Sequence, residues 1–199
     1  MPPRIFDAPD GFVFHHLNAW EQNDEVAVES IYYKDFPSIR PNEDFKNIDF
    51  NSIPEGLLKR CTINLSNNET KTSQLSNQCC EFAMVNPEKQ GIRARFSWMA
   101  IADSLVGKGP RQGIKKLDLL TQKQLTWSTA PRGFVNEPLF IPKINSINED
   151  EGYVILLTWN GETRNTEVVI LNAQNLKEEA VLKSPINIAY GLHGSWVNS

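Results

Sequence analysis

Histidine is scarce in this chain, and so is cysteine: there are three of each among 199 residues. Runs of basic residues are missing too. Lysine and arginine together number 20 against 24 aspartates and glutamates, a formal net charge of -4. A nucleic-acid partner needs a basic face, so that class of function is set aside. No stretch approaches the roughly 18 consecutive apolar residues of a membrane-spanning helix. The opening residues, Met1 to Asp7, hold no apolar signal-peptide core. Cys61, Cys79 and Cys80 have no metal-ligand spacing, and the adjacent pair points to opposite faces of a strand. All three are expected to be reduced thiols, in the core or at the surface, of a cytoplasmic protein.

What the chain does contain is a succession of short apolar runs broken by turn residues. The segments Phe12 to Trp20, Val26 to Tyr33, Leu57 to Leu65, Thr72 to Val85, Ala94 to Ala102, Ile114 to Leu120, Gln124 to Ser128, Leu139 to Ile141, Tyr153 to Trp159, Glu167 to Leu171 and Ala180 to Lys183 read as strands. Asn67-Asn68, Gly107 to Pro110 and Asn160-Gly161 punctuate them, and 172–179 reads as a hairpin loop. The polar stretch from Phe36 to Pro54, with three prolines, reads as a long loop or short helical excursion. Arg93 and Arg95 read as outer-face strand residues, and Asp150 and Glu151 as a solvated turn. The expected class is all-β. Pattern alone leaves sandwich, barrel and propeller open, and no blade-length repeat is visible.

All three histidines lie near the ends of the chain, in strand-like apolar segments: Phe14-His15-His16-Leu17-Asn18-Ala19-Trp20-Glu21 and Tyr190-Gly191-Leu192-His193-Gly194-Ser195-Trp196. Imidazole is the commonest neutral metal ligand, so a site closed by long-range contact is the reading to test. His15 and His16 also fit an ordinary strand pair. Being adjacent, they cannot both face one ion from a regular strand. Glu81 and Glu137 sit among apolar neighbours, where an unpaired carboxylate is costly; edge or turn positions are the plain alternative. The five tryptophans and Phe134 could line an apolar tunnel, but in a β protein aromatic side chains are more often core.

Together with Cys80-Glu81-Phe82-Ala83-Met84-Val85-Asn86, Gly133 to Phe140 with Pro142, and Asp150 to Ala173, these motifs resemble the carotenoid cleavage oxygenases in five places and in the same order. The resemblance is to the C-terminal part of that family and covers nearly all of residues 1–199. It implies a seven-bladed β-propeller with Fe(II) on its axis, of which this chain supplies the last three to four blades. It implies iron held by four histidines, with His15 and His193 on two of those positions. It places Glu81 and Glu137 as the carboxylates that orient the iron-bound imidazoles. The implied reaction is cleavage of a polyene double bond by O2 to give aldehydes, on a carotenoid, apocarotenal or stilbene. Contact with a membrane surface is part of the same expectation.

The chain departs from the family pattern at Ala83 and Val85, where proline and isoleucine are usual. The other two histidines and one glutamate correspond to positions ahead of Met1, and nothing here replaces them. Three accounts follow: a fragment of an oxygenase, one half of a split enzyme completed by an N-terminal half-chain, or a non-catalytic β-sheet remnant that binds an apolar ligand or a partner.

Overall fold

The computed structural model describes residues 2–38, 47–103 and 107–197. Among these residues thirteen strands build three antiparallel sheets. Sheet I contains β1 (Phe12–Gln22), β2 (Glu25–Tyr33), β3 (Leu57–Asn64) and β4 (Thr70–Gln74). Sheet II contains β5 (Cys80–Met84), β6 (Phe96–Ala102), β7 (Arg111–Asp118) and β8 (Gln124–Ser128). Sheet III contains β9 (Gly133–Val135), β10 (Leu139–Pro142), β11 (Gly152–Asn160), β12 (Asn165–Asn172) and β13 (Glu178–Lys183). Sheets I and II are up-and-down meanders, while in sheet III β9 and β10 both pair with β11; three sheets agree with the expectation of three to four blades. Among the described residues no helix is long and apolar enough to cross a membrane.

Two apolar layers join the sheets. Ile31 and Leu58 of sheet I pack with Met99, Ile101 and Leu117 of sheet II. Trp98 and Ile114, also of sheet II, pack with Phe140, Val154 and Leu171 of sheet III. The alternation of β6 and β7 therefore feeds two cores at once, which explains why those strands are buried on both faces. Cys61, Cys79 and Cys80 are free and buried, and burial pushes the Cys80 thiol up to about 12.

Several expectations are corrected. The stretch 72–85 is two strands of different sheets, because the chain bends between Gln74 and Cys80 and leaves sheet I for sheet II. Arg93 and Arg95 precede β6 rather than lying in it; Arg95 donates to Asp118 at 2.8 Å and 3.1 Å. Asp150 is not simply solvated, since Lys116 Nζ approaches its carboxylate to 2.5 Å. The end of the chain, 184–197, forms no strand; it is tied to β12 at one point, where Thr166 accepts the Ser184 N–H at its carbonyl and the Ile188 N–H at its hydroxyl, both at 2.9 Å. Of the polar stretch 36–54, a short 3-10 turn at Phe50–Ser52 is seen, while 39–46 lies outside the described residues.

The innermost strands share one irregularity. Each gains residues relative to its neighbour: two in β1, where Leu17 is extra as well, and one in each of the others. In β1, Phe14 and His15 stand opposite Ile31 alone. In β5, Phe82 and Ala83 stand opposite Met99 alone. Between β9 and β10, Asn136, Glu137 and Pro138 face only Leu156 and Leu157. A bulge of this kind re-aims side chains and increases local twist.

Candidate metal centre

The bulge in β1 turns His15 away from the alternation of its strand and toward sheet II. Its Nδ1 lies 2.5 Å from Oε2 of Glu81, the residue just before the β5 bulge. Glu81 is held from three directions. Besides His15, the backbone N–H of Phe82 donates to Oε2 at 2.7 Å and the Tyr33 hydroxyl donates to Oε1 at 2.8 Å. Phe82 adopts a positive φ of 54°, a conformation that non-glycine residues adopt at a cost. That turn is what brings its N–H onto the carboxylate of the preceding residue.

His193 arrives from the irregular C-terminal segment. Its Nδ1 lies 3.3 Å from both carboxylate oxygens of Glu137, and the N–H of Gly194 donates to Oε2 at 2.9 Å. The Tyr190 hydroxyl anchors the segment by donating to the Val135 carbonyl at 2.6 Å. This second pair is looser and wetter than the first. The side chain of His193 is 58% exposed, against 28% for His15. The cause is structural: His15 is gripped between two sheets, whereas His193 has sheet III on one side only.

The two imidazoles meet. Their ring centroids are 5.1 Å apart and their planes nearly perpendicular, at 80°. The Phe82 ring completes a triangle, 5.1 Å from His15 and 5.9 Å from His193. In both histidines Nδ1 is engaged by a carboxylate, and Nε2 has no hydrogen-bond partner among the described residues. A carboxylate on one ring nitrogen fixes the tautomer that leaves the other nitrogen's lone pair available. His16 takes a different course, with Nδ1 2.7 Å from the Ser30 hydroxyl of β2.

Two neighbours complete the surroundings. An aromatic group of Phe12, Phe14, Tyr33 and Phe36 stands beside His15, with Phe14 5.4 Å from Tyr33 and 5.9 Å from Phe36. A shallow cleft of about 140 Å³ opens beside His193, lined mainly by Leu139, Ile155, Leu157 and Leu192. Among the described residues no group of three or more His, Cys, Asp or Glu side chains is placed to hold a metal ion.

All four sequence-predicted site residues thus lie in one place. Residue reasoning missed Tyr33, whose strand-end tyrosine reads as ordinary β-propensity. It also missed Asn18 and Asn86, although both stand in the quoted motifs. Asn18 donates to the carbonyls of Lys89 and Ile92 and accepts from Gly91 N–H, tying β1 to the turn that follows β5. Asn86 caps the 3-10 turn Pro87–Lys89 and donates to the Glu149 carbonyl, in the loop between β10 and β11, at 3.0 Å.

Comparison with known proteins gives one consistent result. Residues 1–198 match the family described as retinal pigment epithelial membrane protein. The apocarotenoid-15,15'-oxygenase of Synechocystis sp. is 36% identical over 191 residues, 95% of this chain and 39% of that enzyme. A carotenoid 9,10(9',10')-cleavage dioxygenase of Crocus sativus is 27% identical, over 98% of this chain and 38% of its own length. The crystal structure of the cobalt-substituted Synechocystis enzyme superposes with a TM-score of 0.93 at 35% identity, covering 98% of this chain and 41% of that one. The chain therefore spans about two fifths of the length of these relatives.

Proposed function

Because the chain belongs to the retinal pigment epithelial membrane protein family, the carotenoid cleavage oxygenases, and its three sheets are blades of that family's propeller, we propose that it forms part of an Fe(II) site for oxidative cleavage of a polyene. One observation carries this reading: His15 and His193, from opposite ends of the sequence, converge with Nδ1 on Glu81 and Glu137. Neutral imidazoles with a free Nε2 are ligands that Fe(II) takes readily. Glu81 and Glu137 would hold the rings in place and offset the metal's charge, which two neutral ligands leave uncompensated. Iron bound there supplies the O2 chemistry that splits a conjugated double bond into two aldehydes. The protein's part is to hold the ligands, with Phe82 against both rings, and to offer an apolar approach. The Phe12–Phe14–Phe36 group and the cleft beside His193 fit a flat polyene such as an apocarotenal.

The missing ligands come from elsewhere in this reading, from an N-terminal half joined to this chain or supplied as a separate one. The second reading, a non-catalytic sheet module, is favoured by the presence of only two candidate ligands among the described residues. One experiment separates them. This chain replaces the matching 191-residue stretch of the Synechocystis enzyme, and iron content and apocarotenal cleavage are measured. Stoichiometric iron and aldehyde products support the oxygenase reading. A folded graft that holds no iron refutes it.

A further inference from the structure

The geometry around Glu81 holds a second device. An ionised carboxylate only accepts hydrogen bonds, and Glu81 divides its two oxygens cleanly. Oε2 serves His15 Nδ1 and Phe82 N–H, while Oε1 serves the Tyr33 hydroxyl. Glu81 and Tyr33 are 7% and 4% exposed, so water does not readily replace either partner. Tyr33 is the last residue of β2, paired with Phe12 of β1, and its ring reaches across into the core shared with sheet II.

Its hydroxyl has a place to go because residue 56 lacks a side chain. A Cβ at Gly56 would stand 2.7 Å from Cζ and from Oη of Tyr33, and 2.7 Å from the Cys80 carbonyl oxygen. The Gly56 carbonyl meanwhile accepts the Cys80 N–H at 2.9 Å, so the backbone of residue 56 lies flat between Tyr33 and the start of β5.

We propose that Tyr33, seated by Gly56, is a positioning residue that sets the tautomer of His15. By occupying Oε1, it keeps the carboxylate from rotating and commits Oε2 to the Nδ1–H of His15. The lone pair of Nε2 is then left available on the ring that stands beside His193. The metal-binding consequence rests on the function proposed above, but the tautomer itself does not. A merely structural tyrosine, buried with its hydroxyl satisfied, would fill the same space with no effect on His15.

The test is long-range 1H–15N NMR of the imidazoles in this chain, without metal, above the pH at which the rings titrate. The wild-type chain should show His15 protonated on Nδ1. Tyr33→Phe keeps the ring and removes the donor; the ratio of Nδ1–H to Nε2–H at His15 should fall about tenfold, the scale of one hydrogen bond to a charged group. The tautomer of His16 should not change. Gly56→Ala keeps the hydroxyl but displaces it, and should shift His15 in the same direction. A folded Tyr33→Phe chain with the wild-type His15 tautomer overturns the proposal, even if its melting temperature falls. If neither variant folds, the wild-type spectrum decides: a proton on Nε2 of His15 overturns the proposal, and one on Nδ1 with a cross-peak to a slowly exchanging Tyr33 hydroxyl supports it. Should the tautomer respond as expected while the graft described above gains no iron, the iron reading fails and this one stands.

Discussion

Trp98 of sheet II lies flat against Phe140 of sheet III, with ring centroids 4.2 Å apart and planes inclined by 23°. The indole N–H also donates to the Ala173 carbonyl at 3.1 Å, so one fully buried residue supplies stacking, area and a hydrogen bond across the seam between sheets. Glu81 and Glu137 belong to these two sheets, and their separation depends on that seam. Trp98→Ala should cost about 3–5 kcal/mol, the usual range for deleting a buried large aromatic. Denaturant unfolding of the variant measures it. A loss under about 1 kcal/mol would mean the seam is held by other contacts.

Asn18 performs the corresponding task between sheets I and II. Its amide donates to Ile92 O at 2.8 Å and Lys89 O at 3.1 Å, and its oxygen accepts from Gly91 N–H at 3.0 Å. At about 0.5–1.5 kcal/mol per bond, Asn18→Ala should lose about 2–4 kcal/mol. Asn18→Asp should be no better, because a carboxylate cannot donate to two carbonyls. Recovery of stability in the aspartate variant would show that the acceptor contact to Gly91 dominates.

The two adjacent histidines should behave differently. His15→Ala in the graft should abolish iron occupancy, as should His193→Ala, while His16→Ala should leave it intact because His16 bonds to Ser30. Glu137→Gln should weaken metal binding by about 10–100-fold, the usual effect of removing a carboxylate partner of a ligating histidine. Metal analysis and iron titration of the purified proteins check each case. Iron retained in His193→Ala would remove that residue from the site.

Asp118 provides the pH test. Arg95 beside it, helped by the N–H groups of Leu120 and Thr121, holds its carboxyl well below the ordinary value of about 3.9. A depressed carboxyl stabilises the fold fully above its unfolded-state value and loses that contribution as pH falls through the folded-state value. Wild type should therefore exceed Asp118→Asn in stability above about pH 5, with the gap closing as pH drops below about 3. Unfolding curves of both proteins across that range test this, and a gap that does not change with pH contradicts it.

Much of this fold is legible in the residues. Alternation marks β11 most clearly, which buries every second residue from Gly152 to Thr158, while β1, β2 and β3 are marked by short apolar runs whose burial does not alternate strictly. The pattern fails from Thr72 to Val85, where a mixed polar and apolar stretch reads as one segment while the chain changes sheets between Gln74 and Cys80. The Ser76-Asn77 pair is the turn signal that could have divided that run. At the end of the chain the opposite error occurs. Ile186, Ile188, Tyr190 and Leu192 alternate like a strand yet remain 43–69% exposed, since alternation reports a face to bury and not whether a partner strand is present. His15, Glu81, Glu137 and His193 could be named from motifs alone. Their convergence could not, because it depends on bulges that no periodicity records.

Those bulges bear on how such a site could be transplanted. In β5 the bulge is a single extra residue that shifts the register with β6 beyond it, whereas β1 carries two extra residues in close succession and regains its original alternation from Asn18 onward. Copying His15 into another antiparallel meander by substitution alone would place it without the bulge that aims it at Glu81. The unit that must be moved is the ligand together with its supernumerary neighbour. Conversely, a one-residue deletion at Phe82 should straighten β5, and one at Phe14 should leave β1 with its second shift at Leu17 uncompensated; either should dismantle the centre while removing none of its four polar side chains.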